Sequence, residues 1–186
     1  MVAETVDRWI VLLFRMPSEP ARHRIALWRE LRKAGAVPLG QSAWALPDLP
    51  VVRAVVDRAE GLVSGAGGEL LRLAAVGLTP ADAGRLAGLY ETARAEEWQE
   101  FLADSDRYLA ELDREHAQQK YTLAELEEEE QSLDRLRRWY RDLRNRDLLG
   151  TTLTTQADDR LKECARRFDD YAAAVYSRLG STPPIS

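Results

Sequence analysis

Two sets of basic side chains are the residues whose type and spacing best suit chemistry. Arg22, Arg29 and Lys33 recur at intervals of seven and four, which puts them on one helical face, with Arg24 and Arg32 beside them. Arg137, Arg141 and Arg144 recur at four and three, flanked by Arg135, Arg138 and Arg146. Guanidinium groups arrayed in this way can grip phosphates through paired hydrogen bonds. Six such contacts would make binding fall with salt at a log–log slope of roughly −5. The competing expectation is a solvated face whose charge is spent on internal salt bridges. Trp139 and Tyr140 lie within the second set, at a spacing that suits core packing better than base stacking.

Catalysis is not expected. His23 sits between Arg22 and Arg24, which disfavour its charged form and offer it no carboxylate. Asp113 and His116 could share a helix face, yet a second cluster to complete a metal site is missing. Cys164 falls on an apolar stripe, where a packed thiol is the default. The run Glu127–Glu130 reads as a solvated acidic face. Gly65-Ala66-Gly67-Gly68 precedes a strand, whereas a phosphate loop needs a helix after it, so it reads as a turn. With no nucleophile–base pair and no metal cluster, no catalytic residue, metal or cofactor is expected.

The chain has 186 residues, 45% hydrophobic and 31% charged, as suits a folded protein. Its longest early apolar run, Trp9–Phe14, is too short to cross a bilayer, so neither a membrane span nor a signal peptide is expected. One cysteine excludes an internal disulfide and fits a cytoplasmic location. The net charge of −5 is uneven. Residues 1–78 carry ten Lys/Arg against eight Asp/Glu, residues 79–130 five against fifteen, and residues 131–186 eleven against eight. Only local patches could therefore draw the chain to nucleic acid.

The elements that must position the first basic set follow from punctuation and period. Trp9–Met16 is continuously apolar apart from Arg15 and stops at Pro17, as a central strand does. Ser18 is the expected N-cap of a helix running to about Lys33, with Ile25, Trp28 and Leu31 as its apolar members and Gly35 ending it. Val37–Leu39 and Ser42–Leu46 form a hairpin around Gly40-Gln41, with Pro38 marking an edge strand. A second helix carries Val51, Val52, Val55, Ala59 and Leu62. A last strand spans Glu69–Val76, with Leu71 and Leu73 alternating against Arg72. The order β-α-β-β-α-β is the ferredoxin-like arrangement, an α+β domain expected over residues 8–78. A helical extension of about three helices is expected over 79–180, opening at Thr79-Pro80 and broken near 118–122, and a frayed tail over 181–186. Its long stripes need burial, in an antiparallel bundle or hairpin or between the two copies of a homodimer.

Trp9–Pro17, the helix Arg22-x-Arg24-Ile25-x-x-Trp28-Arg29-x-Leu31, Gly35-Ala36 and Trp44-Ala45-Leu46-Pro47 carry a resemblance, as does Ala93-Arg94-Ala95-Glu96-Glu97. Together they resemble the N-terminal domain of the ChrB proteins of bacterial chromate resistance, over about residues 8–110 and more loosely beyond. The resemblance implies a non-enzymatic cytoplasmic transcription regulator or accessory protein that binds promoter DNA and is released by chromate. Longer members carry a C-terminal domain to which the chromate response is assigned. None follows the helices here, so chromate or another oxyanion is not the expected effector. Arg22, Arg24, Arg29, Arg32, Lys33, Arg137, Arg138, Arg141 and Arg144 are the expected DNA-binding residues. The frame also resembles PaaX-type repressors and small CRISPR-associated nucleases. Those nucleases place a metal-binding aspartate where this chain has Arg15-Met16-Pro17, so nuclease activity is not expected. No helix-turn-helix is legible. The alternative function is a protein-interaction or scaffold module using the acidic helices.

Overall fold

A computed structural model describes residues 8–180. Its first half holds strand β1 (Trp9–Arg15), helix α1 (Arg22–Lys33), strands β2 (Val37–Gly40) and β3 (Ala43–Pro47), a 3-10 turn at Pro50–Val52, helix α2 (Arg53–Gly65) and strand β4 (Glu69–Ala75). The strands form one antiparallel sheet in the order β2-β3-β1-β4. This is the ferredoxin-like topology. β1 is central because its run of apolar residues can be covered on both faces, and β2 lies at the edge, where Pro38 is tolerated. Three long helices follow: α3 (Pro80–Ala117), α4 (Leu123–Arg146) and α5 (Leu153–Gly180). No helix among the described residues is long and apolar enough to cross a membrane.

The chain divides into two compact units. The first takes in the sheet, the start of α3 as far as Ala95 and the segment Arg144–Thr151. The second comprises Glu96–Leu143 and the residues from Thr152 onward. Residues 78 and 79 lie in the loop before α3, and Thr79 caps that helix. Its Oγ1 accepts the Asp82 N–H at 3.2 Å, and Asp82 Oδ2 accepts the Thr79 N–H at 3.2 Å. The tail 181–186 lies outside the described residues.

In the sheet unit α1 and α2 cover one face. Leu27 and Leu31 of α1 and Val56, Ala59 and Val63 of α2 pack on Ile10, Leu12, Phe14 and Leu46. The expected α1 stripe is thereby corrected. Successive steps of three drift by about 60° around a helix. Leu31 consequently stays in the core, while Ile25 and Trp28 leave it and are each 44% exposed. The helix also starts later than expected: Ala21, not Ser18, is its N-cap, without a side-chain cap. The residue before a proline is disfavoured in helical conformation, so Glu19 cannot be helical ahead of Pro20. On α2 the core spacing runs through Val56 and Val63, and Val51 is exposed. On β4 Arg72 pairs with Glu60 at 2.7 Å and Asp57 at 3.5 Å, so it faces α2. Leu71 and Leu73 therefore lie on the opposite face and remain exposed.

The other sheet face meets the start of α3. Trp9, Val37 and Ala45 pack with Tyr90, whose ring stands edge-on to Trp9 at 5.8 Å. The Tyr90 hydroxyl donates to the Arg146 carbonyl at 2.9 Å and accepts the Leu148 N–H at 2.8 Å. Tyr90→Phe strips a partner from two backbone groups at a buried position. It should cost about 1–3 kcal/mol, measurable by urea unfolding.

The helical unit is held by apolar and aromatic residues at helical spacing: Trp98, Phe101 and Leu112 of α3, Leu133 and Leu136 of α4, and Cys164 and Val175 of α5. Trp139 and Tyr140 pack against this core, as their spacing indicates; Tyr140 lies 5.6 Å from Trp98.

Candidate functional site

The functional candidates on α1 divide around the helix. Arg24 is half-buried, while Arg22, Arg29, Arg32 and Lys33 are exposed. None of the five makes an ion pair or a side-chain hydrogen bond among the described residues. The contrast with other arginines of the same unit is sharp: Arg15 binds Glu69, Arg58 binds Glu30 and Arg72 binds two carboxylates. Glu30, the one acid within α1, is turned toward α2 by its bond to Arg58, so it is not spent on its basic neighbours.

The division into units sharpens the charge asymmetry. Over the described residues the sheet unit has fourteen Lys/Arg against nine Asp/Glu, a net +5. The helical unit has twelve against twenty, a net −8. The cations of α1 thus stand on a positive unit, where they are not neutralised in place.

Arg24, Arg29 and Arg32 also line a cavity of about 690 Å³ between α1 and the β2–β3 hairpin. Ile25 and Trp28 contribute apolar walls from α1, and Trp44 contributes from β3. Lys33, expected on the same face as Arg29, lines a different hollow beside α2 with Glu30 and Arg58. The cavity was legible only in part: the arginines stand out, while Trp28 reads as a core residue until Leu27 and Leu31 are seen to occupy the core side.

The second basic set is more mixed. Arg137, Arg138, Arg141 and Arg144 are all exposed on α4. Arg137 pairs with Asp134 at 3.2 Å, whereas Arg138, Arg141 and Arg144 make no ion pair among the described residues. The compact units place Arg144 with the sheet and the other three with the helices.

The remaining candidates are occupied structurally. Asp113 is bound by Arg167, and His116 Nδ1 lies 3.1 Å from the Tyr121 hydroxyl, so the two do not converge. No metal-binding group of acidic, histidine and cysteine side chains occurs among the described residues. The Cys164 thiol is buried, donates to the Ser105 carbonyl at 3.7 Å and is pushed up to about 11 by burial. A thiol so held is a poor nucleophile.

The acidic run on α4 is not wholly solvated. Glu129 is only 5% exposed, beside Glu111, Glu125 and Glu128. Burial first, and then the charges of Glu111, Glu128, Glu115 and Glu125, push its carboxyl up to about 7. Unfolded, the same group titrates near 4.5. The folded chain holds a proton that the unfolded chain has already released within that window. The associated stability is complete below about pH 4.5 and is lost as pH rises through about 7. Glu129→Gln should therefore raise stability by about 2 kcal/mol near pH 8 and change little near pH 4, as thermal unfolding at the two values would reveal.

No curated protein matches the chain. Residues 24–182 match the family described as Protein ChrB, N-terminal. The match begins within α1 at Arg24, includes the cavity-lining arginines and extends through all three long helices, well past the segment that carries the motif likeness. Together with the ferredoxin-like frame and the basic helix, it places the chain in the ChrB N-terminal family.

Proposed function

We propose that the chain is a DNA-binding, non-enzymatic regulator or accessory protein of chromate resistance that works in the cytoplasm as a homodimer. Family membership supports a chromate-resistance role of the regulator type. The observation that carries the DNA-binding part is on α1: Arg22, Arg24, Arg29 and Arg32 have no carboxylate partner among the described residues, on a unit of net positive charge. An unpaired arginine cluster retains its full capacity for phosphate oxygens, and neutralising phosphates releases counterions, which drives binding. Arg138, Arg141 and Arg144 add a second set of cations without ion pairs among the described residues. In this proposal the contacts position the protein on the backbone, and sequence preference arises elsewhere.

Gel-shift titrations with the DNA upstream of the chain's own gene test the reading. A shift at low salt that weakens steeply as salt rises is expected; no shift at low salt overturns it. The scaffold reading draws on a hollow of the helical unit where Asp104, Glu111, Glu125, Glu128 and Glu129 outnumber Arg107 and Arg135. Recovery of a protein partner without nucleic acid in a pulldown would favour it.

A further inference from the structure

The cavity beside α1 combines three features that a backbone-gripping face does not need. We infer that it is a binding site for a small phosphate monoester carrying a flat ring, of about mononucleotide size. The inference stands apart from DNA binding, because each can hold without the other.

The first feature is charge. Arg24, Arg29 and Arg32 all line the cavity, none is paired among the described residues, and no Asp or Glu is among the lining residues. Three guanidinium groups around one hollow call for more than one negative charge. A carboxylate would leave most of that charge unmatched, whereas a phosphate monoester is close to a dianion near neutral pH and offers three oxygens to forked donors.

The second feature is size and apolar surface. About 690 Å³ lies in the range of small-molecule sites, and a bare tetrahedral oxyanion would fill little of it. Ile25 and Trp28 line it while each is 44% exposed. Large apolar side chains left open inside a cationic hollow are surface that a ligand can cover. A flat ring can stack on the Trp28 indole or on a guanidinium plane.

The third feature is a second indole. Trp44 also lines the cavity, from β3, and is only 6% exposed. Together with Trp28 it walls the cavity with indole surface, which suits a flat ring.

The shape favours a free small molecule over a duplex. The cavity lies between a helix and the hairpin residues Pro38, Gly40, Gln41 and Ser42. A duplex presents singly charged phosphodiesters outward with its rings stacked inside. It cannot offer one phosphate and one exposed ring to the same hollow.

The test is direct titration of the full chain, without DNA, with nucleoside 5′-monophosphates, the matching uncharged nucleosides and inorganic phosphate. Heat and the tryptophan emission of Trp28 and Trp44 are the readouts. A monophosphate is expected to bind at least tenfold more tightly than either fragment. Arg32→Gln should weaken it at least tenfold and Trp28→Leu several-fold, with unchanged circular dichroism, while Arg166→Gln in the helical unit, where Arg166 is held by Glu163 and Asp170, should leave it unaltered. Three results would overturn the inference: no saturable binding at millimolar nucleotide, inorganic phosphate binding as tightly as the nucleotide, or indifference to Arg32→Gln. If duplex DNA binds and nucleotides do not, the small-molecule site is excluded and the DNA reading survives. If nucleotides bind and DNA does not, the reverse holds.

Discussion

The combined variant Arg22→Gln, Arg24→Gln, Arg29→Gln and Arg32→Gln is expected to bind duplex DNA roughly a thousandfold more weakly than the parent at about 0.1 M salt. Its salt dependence should also be shallower, by about 3 to 4 in log–log slope, because four phosphate contacts and their released counterions are lost. The reason for so large an effect is that none of these side chains is engaged by a carboxylate within the described fold. None is paired among the described residues, so their removal leaves no buried carboxylate and should not disturb folding. Arg72→Gln supplies the comparison. Arg72 is committed to Asp57 and Glu60, and its loss should change stability slightly and DNA affinity little. Fluorescence anisotropy on both variants separates a dedicated phosphate face from a general loss of positive charge.

Gly35→Ala is expected to destabilise the chain by roughly 3 kcal/mol or more. Gly35 closes α1 at a φ of +80°, donating to the Arg32 carbonyl at 3.0 Å while the Ala36 N–H reaches Leu31 at 2.9 Å. This is the pattern of a helix end that requires a left-handed residue. A methyl group here would also lie 2.2 Å from the Arg146 carbonyl oxygen, the same oxygen that receives the Tyr90 hydroxyl. Backbone strain and collision therefore add. Gly150 separates the two causes, since it too has a positive φ, of 72°, but a methyl group on it would meet nothing within 4 Å. Gly150→Ala should cost only about 1–2 kcal/mol. Urea unfolding of both variants measures the difference.

How far the sequence discloses this molecule depends on the kind of signal. Strand β1, the hairpin with Pro38 on the edge strand and the Thr79 cap follow from local chemistry, and all are present. So does the break between α3 and α4, where Gln119 takes a positive φ. Facing is harder to read. Ile25, Trp28 and Leu31 look like one stripe, yet only Leu31 is buried, because steps of three precess out of the core that Leu27 and Leu31 share. Arg72 looks like the solvent side of β4, but acids on α2 draw it to the covered face. Glu129 looks like one of four equivalent glutamates, and only packing of the helices singles it out. The candidate site shows the same divide. Arg24, Arg29 and Arg32 stand out by type, whereas their freedom from carboxylates and their meeting with Trp28 and Trp44 depend on contacts distant in sequence.

The most direct test of the central claim, that the α1 guanidinium groups are held open for the phosphates of DNA, is a salt series of DNA binding by the intact chain. Labelled duplex should be bound at about 50 mM salt, with log affinity falling linearly against log salt at a slope of about −3 or steeper. No binding at the lowest salt, or a slope near zero, would contradict it.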